Sequence, residues 1–572
     1  MNPVLAETLR EARGVMVALF AFSCTMNVLL FAGPLYMMQV YDRVLSSRSE
    51  ATLFALLFIV LIIYAVVYVL DLIRSRICVR VGMLIDERLR GPVFDAIMHQ
   101  RVQNSGVGDG FLPIRDLETI RGFFSNGGTV FLLDLPWAPL FLFLLYLFHP
   151  LLALVTVIGA IIISAVTWQT ARMTTEAIRE TTLEGSRRNA FINDTRAGAE
   201  AIEALGMTGE IRKIWSGYQD RLSAQTQRTS DISMHRAALV KAIRMGLQAI
   251  LLAVGAILVI EQAASAGIII GASMIASRAL QPIEQLNAQW RSLVTGKQAY
   301  DRLRQSLRPP AEAPTSLPAP TGKLMVKDLH LAPPGTRDLT LAGVSFSADA
   351  GTVIAVVGPN AAGKSTLSRA LVGLWTPVRG ELRLDGATLD RWAPEDRGQF
   401  TGYLPQSVEL VSGPVWMNIS RFRSERDDKA TIEAARRAGA HEMIQRLPDG
   451  YDTEVGMGGL TLSAGQRQRI GLARALYGSP FLVVLDEPNA NLDAEGEAAL
   501  KQAIRGLRES GAIVIVVAHR QAILEDVDFI LVLRNGRQLA YGPREEIAKS
   551  VMGLSVPGGP KTNVRVLPNA KA

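Results

Sequence analysis

The chain has 572 residues, 49% hydrophobic and only 20% charged, with a mean hydropathy of +0.22. At about 150 residues per domain that is room for roughly four domains. The charge falls below the about 25% usual for soluble proteins, so part of the chain lies out of water, and so much apolar surface excludes disorder as the main state. Two cysteines, Cys24 and Cys78, exclude a disulfide scaffold, while the net charge of +7 invites a nucleic-acid reading that the placement of the charges decides.

Six apolar runs fill the first half: Val15–Val40, Ala51–Ile73, Thr129–Phe148, Leu151–Thr170, Met245–Ile260 and Ala264–Leu280. Most approach the ~20 residues needed to cross a ~30 Å hydrocarbon core. Cys24 and Cys78 lie in or beside these runs and read as small buried hydrophobes. The first run is too long for a cleaved signal peptide, and Asn27, Gly33 and Pro34 interrupt it.

Connections alternate between short (Tyr41–Glu50, His149-Pro150, Glu261–Ala263) and long (Arg74–Gly128, Ala171–Arg244). The long ones carry Arg74, Arg76, Arg80, Arg88, Arg90, Arg101, Arg115 and Arg121, then Arg179, Arg187, Arg188, Arg196, Arg212 and Lys213. Positive charge beside membrane helices marks the cytoplasmic face, so both termini are expected in the cytoplasm, and topology accounts for the excess charge without nucleic acid. The long segments, rich in helix formers, read as continuations of the membrane helices. Turns are expected at Asn104–Pro113 and Asn193–Gly198, as places that touch whatever sits below. Asp134 is a carboxylate inside an apolar run and so a functional candidate. The favoured alternative is that it pairs with an arginine or caps a turn broken by Pro136, since Pro136 and Pro139 distort that helix.

The membrane domain is thus expected over residues 1–307, its last stretch Gln281–Leu307 again helical, followed by a Pro-rich linker over 308–322. From 323 to 554, short apolar strands (Thr352–Val357, Phe481–Leu485, Ile513–Val517) alternate with amphipathic helices, the rhythm of an α/β domain. The tail 555–572 reads as disordered.

Strand Thr352–Val357 runs into Gly358-Pro359-Asn360-Ala361-Ala362-Gly363-Lys364-Ser365, and a helix begins near Thr366. This is the phosphate-binding loop pattern in its required place between strand and helix. Backbone amides and a helix N-terminus form a nest for ATP phosphates, Lys364 is expected to reach the β- and γ-phosphates, and the Ser365 hydroxyl to sit on Mg²⁺. Strand Phe481–Leu485 ends in Asp486-Glu487, placing Asp486 as a second Mg²⁺ anchor and Glu487 to polarise the attacking water.

With these residues in place, Thr461-Leu462-Ser463-Ala464-Gly465-Gln466 followed by Arg467-Gln468-Arg469 resembles the signature motif of ABC transporter ATPases, about twenty residues before Asp486-Glu487. Gln406, in Gly402-Tyr403-Leu404-Pro405-Gln406, resembles that family's glutamine loop, His519 its switch histidine, and Asn489–Asp493 the loop through which two ATPase domains touch. The resemblance implies that Gln406, Glu487 and His519 serve catalysis, with Gln406 also reaching the metal. It implies further that Ser463, Ala464, Gly465 and Gln466 act on ATP held by a second copy. One phosphate loop and one signature per chain then imply a homodimer with two composite sites.

Three departures stand out. Ala464 replaces a glycine and is expected to hinder slightly the approach of the backbone to the γ-phosphate. Met457, in Thr453-Glu454-Val455-Gly456-Met457-Gly458-Gly459, replaces a common glutamate. Ala332-Pro333 stands near the place of an aromatic that stacks on adenine.

A membrane segment ahead of the ATPase resembles exporters. Gly33-Pro34-Leu35-Tyr36-Met37-Met38-Gln39-Val40-Tyr41-Asp42-Arg43-Val44-Leu45 with Ser47-Arg48-Ser49 resembles the first-helix segment of type I secretion ATPases. Arg115-Asp116-Leu117-Glu118, Asp134-Leu135-Pro136-Trp137-Ala138-Pro139 and Glu203-Ala204-Leu205-Gly206-Met207 resemble further stretches of it. The resemblance is closest to the branch exporting metalloproteases and other repeat-containing proteins with uncleaved C-terminal signals. It implies the bacterial inner membrane, a periplasmic adaptor, an outer-membrane channel and a secreted polypeptide. With only Met1–Gly14 ahead of the first helix, no N-terminal peptidase or peptidase-like domain is expected. A lipid or drug flippase of the same architecture, which needs no adaptor, and an ATPase that gates a partner without moving cargo are the competing readings.

Overall fold

A computed structural model describes residues 3–102, 110–126, 128, 130–307, 317–336, 338–456, 461–518 and 521–550. The chain divides into two compact units between residues 311 and 312.

Among the described residues the first unit is helical, with six stretches long and apolar enough to cross a membrane: Arg13–Ser47, Glu50–Gln100, Val130–Phe148, Pro150–Ala197, Thr208–Ile260 and Ala266–Ser306. Each overlaps one of the six apolar runs read from the sequence, four of which lie wholly inside, while the third and sixth helices begin at Val130 and Ala266, after the expected Thr129 and Ala264. Four of the helices run far past the ~20 residues a bilayer needs, since neither Arg, Glu and Ala nor Met breaks a helix. The fifth and sixth runs, short in sequence, are the ends of helices of 53 and 41 residues. The sixth absorbs the separate stretch expected over 281–307 and passes through Pro282. The turn expected at Asn193–Gly198 comes later: Pro150–Ala197 stays helical, and the break runs from Gly198, around the helix Ala199–Ala204, to Met207. Residues 103–109 of the other expected turn lie outside the described residues, and Pro113 opens the helix Leu112–Ser125.

The first stretch is broken more than once. Helix Pro3–Leu29 stops, Ala32–Gln39 resumes, and a π turn spans Val40–Val44. The π turn carries Asp42, whose Oδ1 accepts from the Gly267 amide (2.8 Å) and Oδ2 from Ser265 Oγ (2.7 Å). A carboxylate at a helix N-terminus satisfies orphan amides and complements the helix dipole, so the end of the first stretch caps the last. Close approach needs glycine here: a Cβ on Gly267 would lie 2.5 Å from Asp42 Oδ2 and 2.7 Å from the Met38 carbonyl. Gly267→Ala is therefore expected to cost about 1–3 kcal/mol by overpacking, read as a lower unfolding temperature in detergent. Gly246→Ala, with nothing within 4 Å of its added carbon, is expected to be neutral or stabilising.

Pro136 and Pro139 break the third stretch into Val130–Asp134, a 3-10 turn Leu135–Trp137 and Ala138–Phe148. Asp134 ends the first piece and accepts from Ser23 Oγ (2.9 Å), Asn27 Nδ2 (3.1 Å) and Arg74 Nη1 (3.4 Å). The arginine partner is thus Arg74, itself held by Asp71 at 2.8 Å. Asp116 is buried and paired with Arg302, which donates to it through three contacts (2.6, 2.9 and 3.3 Å). Burial pushes its carboxyl up, against the pull of Arg302. Leu145, Leu152, Ile163, Ile275 and Leu280 build the core of this unit. Phe54, Phe58, Ile161 and Met245 face outward, as a lipid-facing surface requires.

The described residues of the second unit form twelve strands: β1 Lys323–Leu331, β2 Leu341–Asp349, β3 Val353–Val357, β4 Arg379–Leu384, β5 Ala387–Thr388, β6 Thr401–Leu404, β7 Gly413–Pro414, β8 Glu454–Val455, β9 Leu482–Asp486, β10 Ile513–Val517, β11 Phe529–Arg534 and β12 Arg537–Pro543. Ten form one sheet in the order β5-β4-β1-β2-β12-β11-β3-β10-β9-β6. From β11 to β6 neighbours are parallel, while β1 pairs antiparallel with β2 and β4. β3, β9 and β10 are buried on both faces, which is why they read as continuous apolar runs. Val353, Ala355, Val483 and Val514 face one core, and Ile354, Val356, Val484 and Ile515 the other. Residues 308–316 of the linker and the tail 555–572 lie outside the described residues.

Candidate active site

Three motifs leave the carboxyl ends of β3, β9 and β6, and β10 ends beside them, four adjacent parallel strands at the edge where open α/β sheets bind ligands. β3 ends at Val357 and gives the loop Gly358–Gly363; β10 ends at Val517; β9 ends at Asp486; β6 ends at Leu404, two residues before Gln406. Register holds them level, with Val517 opposite both Val356 and Asp486, and Leu404 opposite Leu485.

The loop is built for close approach. Ala361 and Gly363 have left-handed backbones (φ 62° and 94°), and such turns form anion-binding nests. A Cβ on Gly358 would lie 2.2 Å from the Leu533 carbonyl, and one on Gly363 2.5 Å from Leu341 Cδ2. Pro359, Asn360 and Ala361 are exposed, while Ala362 is buried and anchors the turn. Helix Lys364–Leu371 starts directly after Gly363, and Thr366 is buried in its first turn. Lys364 Nζ donates to the Gly358 (2.9 Å) and Pro359 (3.0 Å) carbonyls, so the ammonium lies over the loop. Burial pushes its pKa down, and the nearby Glu487 and Asp486 push it up.

Asp486 is 1% exposed. Its carboxyl accepts from the Ser365 hydroxyl, and burial pushes its pKa up, with Glu487 adding to the rise and Arg369 and Lys364 opposing it. Its Oδ1 has no hydrogen-bond partner among the described residues. A buried carboxylate with an unpaired oxygen beside a serine hydroxyl fits a hard divalent cation such as Mg²⁺, which takes oxygen ligands. Glu487 follows in a left-handed conformation (φ 51°), its amide donating to Val517 O at 3.2 Å. Gln406 is exposed beyond β6, while His519 and Met457 lie outside the described residues.

The structure therefore brings the phosphate loop, Asp486 and Glu487 together. The signature lies elsewhere, in a groove of about 360 Å³ shared with Arg446, Arg469, Asn491 and Asp493. Ser463 caps helix Ala464–Leu476: its Oγ accepts from the Gln466 amide, and Gln466 Oε1 accepts from the Ser463 amide. This reciprocal box fixes the first turn, with Ala464 exposed at its tip. A Cβ on Gly465 would lie 2.9 Å from the Asn491 carbonyl.

Sequence reasoning quoted Gln468 within the signature stretch without giving it a role; its buried amide donates to the Pro488 carbonyl (3.1 Å) and ties the signature helix to the turn after Glu487. Its place inside an apolar helix face was the available signal. Ala332 is buried, and neither it nor Pro333 offers an aromatic ring to adenine. Without base stacking worth about 1–3 kcal/mol, the purified chain is expected to bind ATP with a Kd above the low micromolar range. Equilibrium titration checks this, and tighter binding would mean that another group holds the base.

Comparisons with known proteins agree with this geometry. Residues 341–490 match the ABC transporter family model, and residues 16–282 match that of the ABC transporter transmembrane region. The type I secretion system ATP-binding protein PrsD of Rhizobium meliloti (strain 1021) is 43% identical, covering 96% of this chain and 94% of that protein. The alpha-hemolysin translocation ATP-binding protein HlyB of Escherichia coli O157:H7 is 27% identical, over 94% of this chain and 76% of its own length. A solved structure of a bacterial Atm1-family ABC exporter with ATP bound shares the fold, with a TM-score of 0.81 at 20% identity, covering 94% of this chain and 96% of that one. The helical membrane unit, the α/β ATPase unit and the near full-length relatedness to PrsD place this chain in the ABC transporter family, among its type I secretion ATP-binding proteins.

Proposed function

We propose that two copies of this chain form the ATPase and permease of a type I secretion system, exporting unfolded polypeptides across the bacterial inner membrane. The observation that carries the ATPase chemistry is Asp486, buried, bonded to Ser365 and left with one oxygen unpaired beside the phosphate loop. The relatedness to PrsD carries the protein cargo.

In this reading the ATPase units and both termini are cytoplasmic. The residues Gly358 to Thr366 cradle ATP, with loop amides and Lys364 on the phosphates. Ser365, Asp486 and Gln406 would hold Mg²⁺, which supplies charge neutralisation on the β- and γ-phosphate oxygens when bound. Glu487 orients the water that attacks the γ-phosphorus, and His519 supports the transition-state charge. Ser463, Ala464, Gly465 and Gln466 of the second copy complete each site. A periplasmic adaptor and an outer-membrane channel carry the polypeptide onward.

The test traps the ATP-bound dimer with Glu487→Gln, crosslinks in cells and identifies what copurifies by mass spectrometry. Recovery of an adaptor together with a polypeptide bearing an intact C-terminus is expected. Recovery of lipid without an adaptor would keep the ATPase and make the protein a flippase. A trapped partner with no cargo and no cargo-linked turnover would make it a gating ATPase.

A further inference from the structure

Arg421 lies outside every motif named above. It follows the short helix Val415–Ile419, and both it and Phe422 have left-handed backbones, φ 57° and 56°. Two successive non-glycine residues in that region are strained, and such strain persists only where the surroundings over-determine it. The guanidinium forms no ion pair with a carboxylate among the described residues. It donates instead to four main-chain carbonyls: Nε to Arg474 (3.0 Å), Nη2 to Ala475 (3.1 Å), and Nη1 to Thr401 (3.1 Å) and to Gly398. Burial and the neighbouring cations Arg423 and Arg474 push its pKa down to about 10. An arginine so placed is costly to bury, and five donors on a planar fork are what makes the four contacts possible.

Those carbonyls belong to the signature helix, to β6 and to the short helix Pro394–Phe400 that runs directly into β6. Arg474 and Ala475 lie in the last turn of helix Ala464–Leu476, where carbonyls lack intrahelical partners. Thr401 opens β6 and Gly398 precedes it, and β6 leads within two residues to Gln406. The signature helix and the β6 segment also touch at two glycines. A Cβ on Gly402 would lie 2.3 Å from the Ala475 carbonyl, and one on Gly471 would lie 2.6 Å from Val408 Cγ1, two residues past Gln406.

We propose that Arg421 is a positioning residue that locks the C-terminal end of the signature helix to the Gln406 strand, so that engagement of Ser463 by one nucleotide moves Gln406 at the other. This rests on the two-site reading given above. The signature helix is a rod of 13 residues, about 20 Å long at 1.5 Å per residue. One end caps the groove offered to the second copy, and the other is fixed to the strand that serves the chain's own nucleotide. The link is main chain to main chain through one side chain, so it transmits displacement without a change of secondary structure.

The test measures ATP hydrolysis against ATP concentration for the purified full-length protein, with unfolding temperature and ATP affinity measured alongside. Arg421→Lys keeps the charge but cannot span the four carbonyls, and Gly402→Ala pushes strand and helix apart while leaving Arg421 in place. Both are expected to lower kcat about tenfold or more and to bring the Hill coefficient down to about 1. ATP affinity should stay within about twofold in both; the unfolding temperature should stay near that of the unsubstituted protein for Arg421→Lys and fall for Gly402→Ala, whose added carbon is overpacked against the Ala475 carbonyl. Folded variants with unchanged kcat and cooperativity would overturn the proposal. So would variants in which kcat, ATP affinity and unfolding temperature fall together, which would make Arg421 ordinary support. A Hill coefficient of 1 in the unsubstituted protein would instead overturn the two-site reading.

Discussion

Glu487→Gln is expected to keep ATP bound while cutting hydrolysis by about 10²–10⁴-fold, the usual contribution of a positioned acid–base group. The substitution preserves shape, and Glu487 hangs from a strained turn (φ 51°) whose amide is fixed to Val517. Loop, Lys364, Ser365 and Asp486, proposed above to hold the phosphates and the metal, are untouched. Removing the negative charge also relieves repulsion with Asp486, whose pKa Glu487 helps to raise. Affinity should therefore hold or rise. Single-turnover hydrolysis and equilibrium ATP binding, measured on the same preparation, check the two halves separately. Turnover near the normal rate would show that another group activates water. Loss of binding together with turnover would show that Glu487 supports the fold of the loop.

The second large effect belongs to the membrane unit. Asp134→Ala removes the acceptor shared by Ser23, Asn27 and Arg74. Arg74 has only 11% of its side chain exposed, and Asp134 20%. Removing one partner of a buried pair costs about 3–5 kcal/mol, because the remaining charge stays desolvated. Asp71 still holds Arg74 at 2.8 Å, which puts the expectation at the lower end of that range. Asp134→Asn keeps an acceptor for the Ser23 hydroxyl and should fall between. Thermal unfolding in detergent reads the ranking. An Asp134→Ala protein as stable as its parent but unable to export would make the carboxylate a contact for cargo rather than a tie between helices.

The reading of these residues from sequence succeeded where one local pattern decides the structure. The phosphate loop lies between β3 and its helix, and β10 spans Ile513–Val517 as drawn, because strands buried on both faces are uninterrupted apolar runs. β1 and β2 passed unread: Lys323–Leu331 alternates buried and exposed residues and holds Lys327, Asp328 and His330, so its run is masked by charge. The extended helices were legible from composition rather than hydropathy, since segments rich in helix formers continue the membrane helices. Hydropathy reports the part of a helix in lipid, whereas Thr208–Ile260 continues through Arg212, Lys213 and Arg228 with no change of geometry. The contacts of Asp42 and Arg421 were illegible because each spans a long sequence separation. Asp42 meets Ser265 and Gly267, and Arg421 meets Arg474 and Ala475. Separations of that size leave no trace in local periodicity.

The 53-residue helix Thr208–Ile260 measures about 80 Å at 1.5 Å per residue, against ~30 Å of hydrocarbon. Roughly 50 Å of it is therefore a lever arm outside the bilayer. Pivoting at the membrane, each degree of tilt sweeps its far end by about 0.9 Å, given that arm. A tilt too slight to disturb packing among lipids becomes, at the Gly198–Met207 turn, a stroke of several ångströms.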